Sequence, residues 1–283
     1  MKVALIQLGY DDEESVSARV SRVTGLVRAA AGHDLVVLPE LWGAGGFSYR
    51  QWSSRAQDVS GPIGSALAAA ARDAGVWLHG GSLVERPASG ERGADGHDLW
   101  NTSVVYDPSG RLVASYRKIH RFGFAGGEPK LMDAGTELVQ VQIPSAPRTD
   151  VSAGAGAVAG AGSVLSVGLS TCYDLRFPEL YRAQLDRGAT AFVIPAAWPM
   201  PRVEAWRLLL QARAIENQCF VFACNTAGTH AKMQMGGHSA VIAPTGEVLA
   251  EAGIDEEVLS VQVDPGLVRA TRESFPVLTD RRL

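Results

Sequence analysis

Short apolar runs alternate with longer stretches of helical periodicity along most of the chain, and this alternation limits the fold more than any other feature of the sequence. Residues 3–8 are almost wholly apolar, as a strand covered on both faces must be. Residues 15–31 then place Val16, Val20, Val23 and Val27 on one helical face. Residues 34–38 form a second apolar strand, stopped by Pro39. The alanine-rich residues 63–74 read as helix, and 76–83 and 102–106 as strands. Asp107-Pro108-Ser109-Gly110 is a turn, and residues 111–116 complete a hairpin. Further on, 164–170 read as strand, 178–187 as a helix with Pro178 in its first turn, and 192–195 as a short buried strand. Residues 203–217 predict a long helix with Leu208, Leu209, Ala212 and Ile215 at helical spacing. Residues 219–224 and 239–243 are strands, Pro244-Thr245-Gly246 turns the chain, and 248–250 rejoin the sheet. Short strands with interspersed helices define an α/β class.

With 283 residues, 46% of them hydrophobic, the chain can bury a sizeable core, and 20% charged residues fit a globular protein. The net charge of −4, without a basic stripe, argues against a nucleic-acid partner. The N-terminal apolar run passes straight into Asp11-Asp12-Glu13-Glu14 and lacks the form of a signal peptide. No run approaches the roughly 18–20 apolar residues of a membrane span, so no membrane partner is expected. Cys172, Cys219 and Cys224 are an odd set with no metal-type spacing; reduced thiols in a cytoplasm are the simplest reading, and no metal is expected.

One segment is compositionally biased, residues 152–162 (SAGAGAVAGAG). Its glycines loosely imitate a dinucleotide-binding turn, but a phosphate cradle follows a strand and opens a helix. Here Pro147-Arg148-Thr149-Asp150 precedes the glycines and a strand follows them, so a flexible surface loop over about 145–163 is expected, with no nucleotide cofactor. The elements on either side share one sheet, which makes 1–283 a single domain with a C-terminal tail over about 265–283.

Three residues stand where chemistry is possible. Cys172 ends an apolar strand, and a tight turn there would raise its side chain above the sheet edge with a free backbone N–H beside it. A thiol so placed is a nucleophile if a base is near, although a lone strand-end cysteine is more often a small buried residue. Glu40 follows the strand Leu35-Val36-Val37-Leu38 beside Gly43, Gly45 and Gly46; it is either a strand-end catalytic carboxylate or a solvated surface glutamate. Lys118, just past a strand, would favour a thiolate and stabilise an oxyanion, or else is a solvated lysine. His120 reads as structural.

Together these segments resemble the nitrilase, or carbon–nitrogen hydrolase, superfamily. Leu38-Pro39-Glu40 is similar to its glutamate motif, Tyr116-Arg117-Lys118-Ile119-His120 to its lysine motif, and Cys172-Tyr173-Asp174-Leu175-Arg176-Phe177-Pro178-Glu179 to its cysteine motif. The resemblance continues through Ile194-Pro195-Ala196-Ala197-Trp198-Pro199, Trp206 with Gln211-Ala212-Arg213-Ala214-Ile215-Glu216-Asn217, Gly237-His238-Ser239 and the tail from Phe275 to Arg282, in order and over nearly the whole chain. It implies a four-layer α-β-β-α sandwich in which Glu40 is general base, Cys172 nucleophile and Lys118, with the N–H of Tyr173, the oxyanion stabiliser. No cofactor or metal is implied.

A second active-site glutamate is common in this family. Glu128, in Gly126-Gly127-Glu128-Pro129-Lys130, is the natural match, ahead of Glu137, which reads as exposed. Trp198 is expected to wall the pocket, or to be a core tryptophan. Asp174 and Arg176 are expected to pair and shape the turn after the nucleophile, the alternative being that Arg176 meets a substrate carboxylate. The cysteine motif is most similar to the branch of ω-amidases and deaminated-glutathione amidases, which implies hydrolysis of a small, carboxylate-bearing amide to ammonia and an acid through a thioester. The alternatives are an N-carbamoyl-amine hydrolase or nitrilase with the same triad, or a non-catalytic binding protein on the same fold. The family habit of assembly implies a homodimer or higher homo-oligomer through the helix over 178–187.

Overall fold

The computed structural model describes residues 1–124, 126–145 and 164–282, so the Ala/Gly-rich segment over 152–162 lies outside the described residues. The strands in chain order are Lys2–Gln7 (β1), Leu35–Val37 (β2), Trp77–Glu85 (β3), Trp100–Tyr106 (β4), Leu112–Arg117 (β5), Gln140–Pro144 (β6) and Val164–Leu169 (β7). They continue with Ala191–Pro195 (β8), Phe220–Cys224 (β9), the ribbon Thr229–His230 (β10) and Met233–Gln234 (β11), Ala240–Ile242 (β12), Val248–Glu251 (β13) and Glu257–Gln262 (β14). The helices are Val16–Ala29 (α1), Trp52–Arg55 (α2), Pro62–Ala74 (α3), Glu128–Leu131 (α4), Pro178–Asp186 (α5), Val203–Asn217 (α6) and Gly266–Ser274 (α7).

Two six-stranded sheets result, ordered β14-β1-β2-β3-β4-β5 and β13-β12-β9-β8-β7-β6. Each has a parallel centre, β1-β2-β3 in one and β7-β8-β9 in the other, flanked by antiparallel strands. The central strands are apolar on both sides because both of their faces are covered. Val3, Leu5, Leu35 and Val37 of the first sheet meet Val167, Leu169, Val193 and Phe222 of the second in a fully buried inner layer. The alternate residues Ala4, Ile6 and Val36 face α1 and α3 through Val23, Val27, Leu67 and Ala70. On the far side, Phe192, Ile194 and Val221 face α5 and α6 through Leu180, Tyr181, Trp206 and Leu210. The architecture is therefore the expected four-layer α-β-β-α sandwich. Each fully buried Val, Leu or Phe contributes about 1.5–3 kcal/mol to holding the layers together.

Local signals set the element ends. Ser15 caps α1, its hydroxyl accepting from Ala18 N at 3.2 Å. Gly75 closes α3 in the left-handed conformation, φ +66°. The β4–β5 hairpin turns on Asp107, whose carboxylate accepts from the N–H groups of Ser109 and Arg111 at 2.9 and 3.1 Å.

The structure corrects the reading of α6. Leu208 and Ile215 are 67% and 53% exposed and Leu209 and Ala212 only half-buried, whereas Trp206, Leu210, Arg213, Ala214 and Asn217 form the inner face. The helix is apolar on two sides, and its inward polar residues disguise the true one. They are tolerated because they are bonded: Arg213 donates to Leu175 O at 2.8 and 3.1 Å, and Asn217 to Arg213 O at 3.0 Å. Two edge strands, β6 and β14, carry too few apolar residues to announce themselves. The region expected to be a plain tail contains α7.

Candidate active site

The site lies where the parallel strands end, the usual place for chemistry in α/β sheets. Glu40 follows β2 and Lys118 follows β5 in the first sheet; Cys172 follows β7, and Ala197 and Trp198 follow β8, in the second. The chain turns sharply at both carboxylate and thiol. Leu41 and Cys172 each hold φ at +47°, a left-handed conformation uncommon for residues with a Cβ and one that clusters at functional sites. The turn at Cys172 is held from several directions. Asp174, fully buried, accepts from Thr171 N at 2.8 Å, Tyr116 Oη at 2.7 Å and His120 N at 2.9 Å, and bonds the His120 ring at 2.8 Å. Arg213 grips Leu175 O from below.

Four ionisable groups converge, all buried. Lys118 Nζ lies 2.8 Å from Glu40 Oε1 and 2.9 and 3.1 Å from the two oxygens of Glu128. Asn101 Nδ2 donates to both Glu40 Oε1 at 2.8 Å and Glu128 Oε1 at 2.6 Å. The remaining oxygen of Glu40 accepts from Ala197 N at 2.9 Å, and Glu128 Oε2 accepts from Phe122 N. Cys172 lines the same cavity as Glu40, Lys118 and Glu128.

Electrostatics shift three of these groups. Burial alone would neutralise Lys118, but Glu128 and Glu40 hold its ammonium well above the ordinary lysine range. Burial, with Glu40 beside it, pushes the Cys172 thiol well above its usual range, against the pull of Lys118. Burial and the Glu40 charge also raise Glu128, opposed by Lys118 and Asn101. At neutral pH the resting site therefore holds an ammonium and a protonated thiol that needs a base. The backbone N–H of Tyr173 sits in the first turn after the thiol, where helical donors have no acceptor within the helix.

The accessible space forms two adjoining chambers of about 20 Å³ each that share Cys172. Glu40, Lys118 and Glu128 line the inner one. Trp198, Phe122, Arg176 and Arg202 line the outer one. A larger cavity of about 430 Å³ opens elsewhere, beside Arg117, whose guanidinium is already paired with Glu85 and Glu91, and none of the site groups reaches it. Among the described residues no cluster of three His, Cys, Asp or Glu side chains could hold a metal ion.

A family model described as carbon–nitrogen hydrolase matches residues 2–273. The chain belongs to the carbon–nitrogen hydrolase family. It is 43% identical over 283 residues to the 2-oxoglutaramate amidase of Paenarthrobacter nicotinovorans, spanning 100% of this chain and 90% of that one. It is 31% identical over 291 residues to omega-amidase NIT2 of Homo sapiens, spanning 99% and 95%. Among solved structures, XC1258 from Xanthomonas campestris, a CN-hydrolase superfamily protein, superposes with a TM-score of 0.83 at 27% identity, covering 100% of this chain and 97% of that one. The chain is thus an enzyme, a hydrolase of carbon–nitrogen bonds in amides.

In this hydrolase the sequence candidates fall as follows. Glu40, Lys118, Cys172 and Glu128 share one site, while Glu137 is exposed and lies at the other cavity. Trp198 walls the outer chamber, its indole donating to Arg202 O at 2.7 Å and its backbone N–H to Asn225 Oδ1 at 2.6 Å. Tyr173 lines the same chamber, its ring edge-on to Phe122. His120 is structural, stacked on Phe177 at 3.8 Å. The expected Asp174–Arg176 pair does not form: the Asp174 carboxylate is occupied by Tyr116, Thr171 and His120, and Arg176 lies over the Trp198 ring at 4.9 Å. Asn101 and Arg202 escaped the sequence reading. Asn101 offered no distinct signal, since it stands at the polar start of β4 beside Thr102 and Ser103.

Proposed function

We propose that this hydrolase is an ω-amidase of 2-oxoglutaramate or a short acid amide of the same shape, with Cys172 as nucleophile, Glu40 as general base, Lys118 as oxyanion stabiliser and Glu128 as positioning group. One observation carries the reading: Cys172, Glu40, Lys118 and Glu128 line one chamber, with the Glu40 carboxylate 2.8 Å from the Lys118 ammonium. The names of the bacterial and human relatives support the substrate. The outer chamber supports it too, since Arg176 and Arg202 give it a positive rim suited to a carboxylate.

In the first half-reaction Sγ attacks the amide carbonyl as its proton passes to Glu40. The carbonyl oxygen becomes an oxyanion held by Lys118 Nζ and Tyr173 N–H. The tetrahedral adduct collapses, the C–N bond breaks, and Glu40 returns the proton to the departing ammonia. The thioester that remains is opened by water, deprotonated by the same carboxylate; thiolate leaves, takes back the proton, and the acid is released. Amide plus water thus becomes acid plus ammonia, with Glu40 regenerated.

The whole chain is read as one catalytic domain working in the cytoplasm as a homodimer. Three free thiols support a reducing compartment. The exposed Leu208 and Ile215 on α6, next to α5, support a second copy as their cover. No described helix is long and apolar enough to cross a membrane.

Ammonia release from 2-oxoglutaramate, from an N-carbamoyl amine and from a nitrile, by the parent and by Cys172→Ala, tests the reading. Turnover of the acid amide by the parent alone supports it. Turnover by both proteins rejects Cys172 as nucleophile, and preference for either other substrate rejects the ω-amidase assignment.

A further inference from the structure

The two chambers at Cys172 have opposite character. The inner one holds the carboxylates and the ammonium, which bond one another and which Asn101 bridges from behind its wall. The outer one has no acidic residue in its wall, yet two guanidinium groups face it. Arg176 is exposed and lies over Trp198 at 4.9 Å. Arg202 is half-buried and lies over the Phe122 ring at 5.2 Å. Neither guanidinium has an ion pair or side-chain hydrogen bond among the described residues, in contrast to Arg19, Arg22, Arg117, Arg207 and Arg213, all of which are paired. Stacking on an aromatic face stabilises a cation only weakly at exposed sites and leaves its five fork-like N–H donors unused.

Arg202 is also better fixed than a surface arginine. Its backbone carbonyl accepts from the Trp198 indole at 2.7 Å, and its backbone N–H donates to Pro199 O at 3.0 Å. The ring beneath its guanidinium belongs to Phe122, whose N–H bonds Glu128. Arg202 is thereby tied on one side to the chamber wall and on the other to the catalytic cluster.

From this geometry we infer that Arg202 is the specificity-determining residue of the outer chamber, binding the distal carboxylate of the substrate while the amide lies between Cys172 and Lys118. A planar guanidinium takes a carboxylate through two parallel hydrogen bonds, which fixes direction as well as charge. The arrangement selects a linear acid amide, and it turns the amide end toward the thiol, because the carboxylate end would meet Glu40 and Glu128 in the inner chamber. The inference rests on the ω-amidase reading and adds the residue that enforces it.

The test compares glutaramate, which carries the distal carboxylate, with pentanamide, which has the same chain without it, on the parent, Arg202→Gln and Arg202→Lys. The expected result is a fall of about ten- to a hundred-fold in the ratio of kcat/KM for glutaramate to that for pentanamide in Arg202→Gln, carried by KM, with partial recovery in Arg202→Lys. A loss shared equally by both substrates, leaving the ratio where it was, overturns the inference. A second readout does not depend on turnover. Glutarate should slow the alkylation of Cys172 in the parent and not in Arg202→Gln. Equal protection of both proteins overturns the inference. If the parent cleaves no acid amide yet protection still needs Arg202, the ω-amidase reading fails and the carboxylate site stands.

Discussion

The side-chain nitrogen of Asn101 lies 2.8 Å from Glu40 Oε1 and bridges it to Glu128, sharing with Lys118 the task of holding two carboxylates together. Removing that donor leaves Glu40 with one fewer partner in a buried place. Asn101→Ala is expected to lower kcat/KM by about ten- to a hundred-fold. Asn101→Asp adds a third carboxylate, and like charge raises the pKa of its neighbours. Its acid limb of kcat/KM should move to higher pH, because the added charge and the lost amide donor both raise Glu128 further. An unmoved limb in a pH–rate profile would show that Asn101 does not tune the carboxylate cluster.

The raised pKa of Cys172 has a direct kinetic consequence. Burial and the neighbouring Glu40 hold its thiol well above the usual cysteine range, so the thiolate is scarce at neutral pH and increases as pH rises. Alkylation by iodoacetate is expected to accelerate through pH 9 without levelling off. A plateau near pH 7 would mean a thiolate formed in advance, with no need of Glu40 as base.

Lys118 neutralises both carboxylates, and Lys118→Met should remove activity and destabilise the fold by about 3–5 kcal/mol at neutral pH, the usual cost of breaking a buried pair. The sign of its pH dependence follows. Without the ammonium, the folded-state pKa of Glu128, already raised by burial, rises further above the unfolded value of about 4.3. The variant is therefore least impaired at acid pH and loses stability as pH rises through the folded-state value. Denaturant titrations at several pH values would give the slope, and a difference from the parent that is constant in pH would contradict it.

Arg213→Met keeps the bulk of the side chain and releases Leu175 O, the carbonyl that it holds beneath the nucleophile turn. A loss of about 1.5–3 kcal/mol in stability is expected, with a fall in kcat rather than a rise in KM, since the turn sets the direction of Sγ. Steady-state kinetics beside a thermal melt separates this from plain destabilisation.

Leu208→Glu with Ile215→Glu places two charges on the exposed apolar side of α6. Sedimentation should shift from dimer to monomer. A mass unchanged by both substitutions would move the interface elsewhere.

Much of the layer order was legible because strands covered on both faces are apolar without interruption, as in Leu35–Val37 and Phe220–Cys224. The edge strand Gln140–Pro144 was not, since alternate residues face water and only Val141 and Ile143 signal burial. The inner face of α6 was misread for a related reason: Arg213 and Asn217 look like surface residues until their backbone acceptors are known. At the site, Glu40, Lys118 and Cys172 each had a bland reading of their own, and only their order along the chain favoured the chemical one. Asn101 and Arg202 stayed hidden because what distinguishes them is a distance: one amide within reach of two carboxylates, one guanidinium laid against Phe122.

The bond from Ala197 N–H to Glu40 crosses from one sheet to the other. The base and the ammonium ride on the first sheet and the nucleophile on the second, so neither half owns a working set. A molecule whose two halves have parted keeps its cysteine but strands it from the carboxylate that would deprotonate it. Turnover is thus a gauge of docking between the halves, and a partly opened copy falls silent before it unfolds.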